Sequence, residues 1–153
     1  SGLIEGDYES TRQYCLEIVD YKGVIEMLRW RDVEAILSAG YEIGSHTRTH
    51  ARFSAISCDE KQMRHEFLGS KNDLEQRLGV ECKYISWPFG RVSDADATSL
   101  SMVERVGYRA CFGAFRGSVV PGKTDLFRIP RHHFEAQWPL SHVKYFSRGH
   151  REA

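Results

Sequence analysis

Residues 30–50 read Trp30-Arg31-Asp32-Val33-Glu34-Ala35-Ile36-Leu37-Ser38-Ala39-Gly40-Tyr41-Glu42-Ile43-Gly44-Ser45-His46-Thr47-Arg48-Thr49-His50. Val33, Ile36 and Leu37 recur on one helical face, and Gly40 suits the left-handed position that stops a helix, so the spacing predicts a helix ending there. Tyr41-Glu42-Ile43-Gly44 then reads as a short strand, and Ser45 to His50 leaves the sheet through polar residues. His46 and His50 stand at i and i+4. On a helical or tightly turned segment both imidazoles point the same way, which suits a divalent metal; the spacing alone equally describes two loop histidines.

The same alternation continues downstream. Ser57-Cys58-Asp59-Glu60 fits an S-x-x-E capping box, and Met63, Phe67, Leu74 and Leu78 keep helical spacing up to Gly79. Cys82 to Trp87 alternates like a strand and is closed by Pro88-Phe89-Gly90. Ser93 is placed to cap a helix running through Leu100, Val103 and Val106 to Gly107, and Tyr108 to Phe112 is a further strand. Helix, strand, helix, strand, helix, strand at this spacing predicts an α/β architecture with a largely parallel sheet or barrel. Upstream, the segment to Lys22 is acidic with weak helical periodicity, and Asp20-Tyr21-Lys22-Gly23 reads as a turn. No repeat or low-complexity linker divides the chain, so residues 1–153 are expected to form a single domain.

Composition bounds the function. The 153 residues carry 21 Lys+Arg against 21 Asp+Glu, a formal net charge of zero, so no global field draws nucleic acid or an anionic membrane. With 41% hydrophobic, 27% charged and 12% aromatic residues, the composition is that of a soluble globular protein. A compact chain of this size buries roughly 70% of its unfolded surface, enough for one core without disulfide staples. No stretch approaches the ~20 apolar residues of a membrane span. The start of the chain has neither the basic nor the apolar region of a signal peptide. Cys15, Cys58, Cys82 and Cys111 form no C-x-x-C pair and are expected to be mostly buried thiols. Between Arg128 and Arg151 basic residues and histidines gather against Glu135 alone, either a solvated face or a surface for an anionic glycan or phosphate.

Gly44-Ser45-His46-Thr47-Arg48-Thr49-His50 closely resembles the second motif of the polysaccharide deacetylase family, the NodB homology domain, where a strand ends in G-S-H-T-x-x-H. Trp30 to Gly40 resembles the family's preceding helix and Ser57 to Gly79 its following long helix. Ile85-Ser86-Trp87-Pro88-Phe89-Gly90 resembles the third motif, R-x-P-Y-G. The likeness is strongest over residues 30–130. It implies the family's distorted (β/α) barrel and a metal-dependent hydrolase that removes acetyl groups from an N-acetylated (or O-acetylated) polysaccharide. Metal-activated water, most simply on Zn2+, would attack the acetyl carbonyl. On this resemblance His46 and His50 are metal ligands, and Trp87, Pro88, Phe89 and Gly90 line the substrate groove. Leu140-Ser141-His142 resembles the fifth motif, which makes His142 the general acid, with His132 and His133 as rivals. Leu126 to Arg131 resembles the L-P-R element of the branch acting on poly-N-acetylglucosamine. The family's usual substrates point to the cell envelope.

Departures from the pattern define the alternatives. Phe89 stands for the usual Tyr, which keeps an apolar wall and loses a hydroxyl. Ser86 stands for the Arg that orients a catalytic carboxylate, a role Arg131 is placed to take; a structural arginine is the competing reading. The first motif, T-F-D-D-G, which supplies the third metal ligand and the general base, has no counterpart, and Asp7 lies in no apolar strand. The barrel is therefore expected to be incomplete at its N-terminal side, with a preceding segment or a second chain supplying the Asp pair. The competing functions are a catalytically inactive glycan-binding relic of the fold, and a metal-dependent amidase acting on a small non-sugar amide.

Overall fold

The computed structural model describes residues 28–132 and 138–148; the acidic opening segment, Asp7, Cys15 and His133 lie outside them. Helix α1 (Trp30–Ser38) is amphipathic with Val33 buried, and Asp32 in its first turn accepts the Arg29 N–H at 2.8 Å. A single turn, α2 (Phe53–Ile56), precedes the long α3 (Glu60–Leu78). The expected helix is there, but Asp59, not Ser57, caps it, accepting Gln62 N–H at 3.0 Å. Ser57 is already used as the residue that ends α2. At the other end Gly79 adopts φ +68, the left-handed stop.

Strand β1 (Tyr84–Ser86) pairs in parallel with β2 (Ala110–Phe112), with Tyr84 opposite Ala110 and Ser86 opposite Phe112. Parallel bridges Ser45↔Ile85 and Phe112↔Ile129 extend this sheet on both sides. The order across it is therefore Ser45, β1, β2, Ile129. The strand expected at Tyr41–Gly44 is reduced to that one bridge, in which Ser45 N–H donates to Tyr84 O (2.8 Å) and Ser45 O accepts Ser86 N–H (2.9 Å). Two residues later Thr47 turns left-handed (φ 67), which ends any ladder. Between the strands a 3₁₀ turn (Val92–Asp94) displaces the start of α4 (Ala97–Arg105). Asp96 rather than Ser93 is its cap, accepting Ser99 N–H at 2.8 Å. Helix α5 (Leu140–Ser147) closes the described chain, with Phe146 buried near His132, Trp138 and Arg116. The described residues thus form an open α/β layer with parallel pairing; they do not close the expected barrel.

Helices α2, α3 and α4 cover the sheet with one core, centred on Phe53, Met63, Phe67, Ile85, Trp87, Leu100, Val103 and Cys111. Phe53 packs on Phe67 at 4.5 Å between ring centroids and on Trp87 at 6.3 Å. Lys71 is satisfied at the edge of this core: its Nζ donates to Cys82 O (2.6 Å) and pairs with Glu75 (2.9 Å), which also accepts Cys82 N–H (2.9 Å). The Lys71 contact holds the Glu75 carboxyl below its usual range, against a smaller opposing effect of burial. Cys82 and Cys111 are buried thiols, both pushed up in pKa by desolvation, whereas Cys58 is exposed.

Candidate active-site groove

The loop after Ser45 is built by hydrogen bonds to α3. Ser45 Oγ lies 2.7 Å from Ser70 Oγ and accepts Thr47 N–H at 3.2 Å. The buried Glu66 carboxylate takes Arg48 N–H, Thr49 N–H and the Thr49 hydroxyl. Arg48 reaches back to Asp73 with Nε–Oδ2 2.9 Å and Nη2–Oδ1 3.2 Å. This anchored turn brings the two histidines together, edge to face, with ring centroids 4.9 Å apart. His50 in turn lies 5.1 Å from Phe89, which Arg52 covers at 4.0 Å while also pairing with the buried Asp94.

His46 Nδ1 sits 2.9 Å from the Ser86 carbonyl and 3.0 Å from Ser86 Oγ. A carbonyl only accepts, so this contact favours the proton on Nδ1 and leaves the Nε2 lone pair available. Burial lowers the pKa of His46; the Ser86 carbonyl opposes that, and the nearby His50 and Arg131 charges add to it. His46 therefore stays neutral to lower pH than an ordinary imidazole. It lines an open groove of about 350 Å³ with Glu42, Ser45, Tyr84, Ser86, Phe112 and Arg131 among its walls. Arg131 is fixed there by donating Nε–H to Gly113 O at 2.8 Å and backbone N–H to Phe115 O at 3.1 Å.

The residues singled out from the sequence separate into two groups. His46 and Arg131 line this groove, and His50 and Phe89 join them through ring contacts, His50 on His46 and Phe89 on His50, without lining it themselves. Trp87 and Pro88 do not line it: Trp87 is 2% exposed, donates its indole N–H to Arg91 O at 3.0 Å and stacks on Phe115. Both are buried on the core side of the turn, whereas Phe89 is 53% exposed. Gly90 (φ +74) is pressed against Ala114, whose N–H it accepts at 2.7 Å. His142 lies in the first turn of α5, exposed, outside the residues that line the groove. Ser86, Glu66 and Arg52 were not picked as site residues. Glu66 does carry a sequence signal, since it sets a carboxylate into the apolar stripe of Met63, Phe67 and Leu74.

Two imidazoles side by side, one with its Nδ1 held by a carbonyl, are the donor chemistry a divalent ion takes. Among the described residues no third His, Cys, Asp or Glu joins them as a metal-holding group. The pair fits part of a zinc ligand set and leaves at least one protein ligand to be supplied from elsewhere.

The family model for polysaccharide deacetylases matches residues 8–111, more than half of the sequence. The chain belongs to the polysaccharide deacetylase family. Its fold is similar to that of a polysaccharide deacetylase from Bacillus cereus (22% identity, TM-score 0.65, covering 83% of this chain and 39% of that one). It is similar too to the Streptococcus pyogenes deacetylase PplD in complex with acetate (18% identity, TM-score 0.66, covering 87% and 54%). A third likeness is to a de-N-acetylase from Aggregatibacter actinomycetemcomitans (15% identity, TM-score 0.58, covering 82% and 57%). The chain thus spans between 39% and 57% of the length of these deacetylases. No curated protein matches the sequence.

Proposed function

We propose that this polysaccharide deacetylase-family chain forms the histidine half of a metal-dependent deacetylase acting on an N-acetylated (or O-acetylated) polysaccharide. One observation carries the reading: His46, its Nδ1 against the Ser86 carbonyl, faces a groove beside His50 and Arg131. A bound divalent ion, most simply Zn2+, would polarise the acetyl carbonyl and bring the pKa of a water toward ~7. The chain's own residues do the rest. His46 and His50 offer imidazole nitrogen donors, and the lowered pKa of His46 keeps it unprotonated to lower pH. Phe89, exposed and braced by Arg52, gives the sugar an apolar wall. The turn at Phe89 and Gly90 directs backbone N–H groups toward a developing oxyanion, and Arg131 stabilises negative charge in the groove. His142 serves as the general acid only if α5 moves toward the groove or the complete protein rearranges around it. The third ligand and general base would come from outside the described residues. A cell-envelope location follows from the substrate class.

The test is acetate release from a panel of N- and O-acetylated oligosaccharides against small acyl amides, with zinc added. Glycan turnover abolished by His46→Ala is the expected result; turnover of amides alone would replace the substrate class with the amidase reading. A second reading, glycan binding without turnover, is favoured by Ser86, whose hydroxyl faces His46 where the family pattern has an arginine. Sugar binding that persists in chelator, with no turnover under any divalent ion, would establish it.

A further inference from the structure

The buried carboxylate of Glu66 is 2% exposed, yet it sits on the apolar stripe of α3, where Met63 and Phe67 pack into the core. An apolar residue would fill that place if filling were its task, because a buried charge is costly unless every lone pair finds a donor. The donors here share one origin. Glu66 Oε2 accepts Arg48 N–H at 3.0 Å and Thr49 N–H at 2.8 Å, and Oε1 accepts the Thr49 hydroxyl at 2.7 Å. All three belong to the stretch between His46 and His50.

That stretch is strained at both ends. Thr47 has φ 67 and His50 has φ 63, left-handed values that a β-branched residue and a bulky ring adopt only when their surroundings hold them there. The Thr47 hydroxyl is buried without a hydrogen-bond partner, so the turn is not held by that side chain. A second anchor acts on the same peptide: the Arg48 side chain lies across Gly69 to reach Asp73, and a Cβ at Gly69 would approach Arg48 Nη1 to 3.3 Å. His50 therefore owes its place against His46 and Phe89 to a turn that α3 imposes.

We propose that Glu66 is the positioning residue of this site: it holds residues 48 and 49 so that His50 is presented edge-on to His46 and Phe89. The inference rests on reading His46 and His50 as the functional pair. Its primary test needs no metal and no substrate. Amide exchange at Arg48 and Thr49, and the ring-to-ring nuclear Overhauser contact between His50 and Phe89, are measured by NMR in the full chain and in Glu66→Ala and Glu66→Gln. In the alanine variant exchange of both amides is expected to rise at least tenfold and the ring contact to disappear. Glutamine keeps an oxygen for the two N–H groups and an amide for Thr49, so it is expected to restore both readouts. If Glu66→Ala lowers the melting temperature while exchange and the ring contact stay as in the parent, Glu66 only supports the core and the proposal is overturned. Should the alanine variant not fold, Thr49→Val, a change at an exposed position, decides: about threefold faster exchange at residue 49 supports the proposal, and unchanged exchange refutes it.

Zinc titration of the same proteins separates this inference from the metal reading. Where the parent binds zinc, Glu66→Ala is expected to weaken it about 10- to 100-fold, as loss of a ligand-orienting contact does, with Glu66→Gln close to the parent. A parent that takes up no zinc has the incomplete ligand set of the proposed function, and the NMR comparison alone then decides the role of Glu66.

Discussion

Replacing Gly90 with alanine tests the turn that carries Phe89 at its tightest point. Gly90 has φ +74, and a Cβ built there would lie 2.3 Å from Ala114 Cβ, 2.7 Å from Ala114 N and 3.0 Å from Ala114 Cα. None of these is the far end of a flexible side chain, and the Ala114 N–H is at the same time bonded to Gly90 O at 2.7 Å. The left-handed conformation alone costs a non-glycine residue about 1–2 kcal/mol. Forcing a methyl into a packed contact adds about 1–3 kcal/mol. The sum, about 2–5 kcal/mol, corresponds at ~2–4 °C per kcal/mol to a melting temperature of order 10 °C lower. Gly79→Ala is the internal control, because Gly79 has nearly the same φ (+68) but nothing within 4 Å of the added methyl. It is expected to lose only the conformational part, about 1–2 kcal/mol. Both variants are compared by urea unfolding followed by circular dichroism, with the slope checked for constancy. Equal destabilisation in the two would refute the claim that the approach of Ala114 fixes the turn carrying Phe89.

Three further outcomes follow from the geometry. The folded-state pKa of His46 is lowered below 6.5, so below pH 6.5 the unfolded chain binds the extra proton first. Stability should be independent of this group above that value, fall as the pH drops toward the folded pKa and fall no further beneath it; urea midpoints from pH 8 to 5 should lose this component in His46→Gln. Phe67→Ala empties the fully buried site between Phe53 and the sheet and is expected to cost about 3–5 kcal/mol, read from the same unfolding curves. Asp94→Ala strands the Arg91 N–H that it accepts at 2.9 Å and frees Arg52 from its buried partner. It should destabilise by about 2–3 kcal/mol and loosen the Arg52 cover on Phe89, visible as a changed Phe89 ring shift.

How far the sequence alone reached depended on whether a feature is local. The long helix α3 was legible from Met63, Phe67 and Gly79, and the end of β1 from Pro88-Phe89-Gly90, because periodicity and turn chemistry act over a few residues. The caps were not: Ser57 and Ser93 have the right side chain, but each is taken up by a preceding short turn, and Asp59 and Asp96 do the capping. The burial of Trp87 was written in the alternation, since it shares a face with Ile85, itself 1% exposed. A resemblance that placed it in a groove overrode that pattern. His46, His50 and Arg131 stand out in the sequence through the motifs they resemble, and the fold brings His46 against His50 and into one groove with Arg131. Glu66 was passed over because a carboxylate on a helix is ordinarily solvated, and only the fold shows that its partners are backbone amides of the His46–His50 turn.

The His46–Ser86 contact joins residues 40 positions apart, and Arg131 arrives from beyond both strands. Such a cluster exists only once Ser45, β1, β2 and Ile129 have all found their register; no single helix or hairpin can preassemble it. A ligand seated there discriminates against every partly organised form of the chain. By mass action it would raise the apparent unfolding free energy by about 2.7 kcal/mol at a hundredfold excess over its dissociation constant. Ligand-induced thermal shifts on this protein would therefore report completion of the sheet as much as occupancy of the groove.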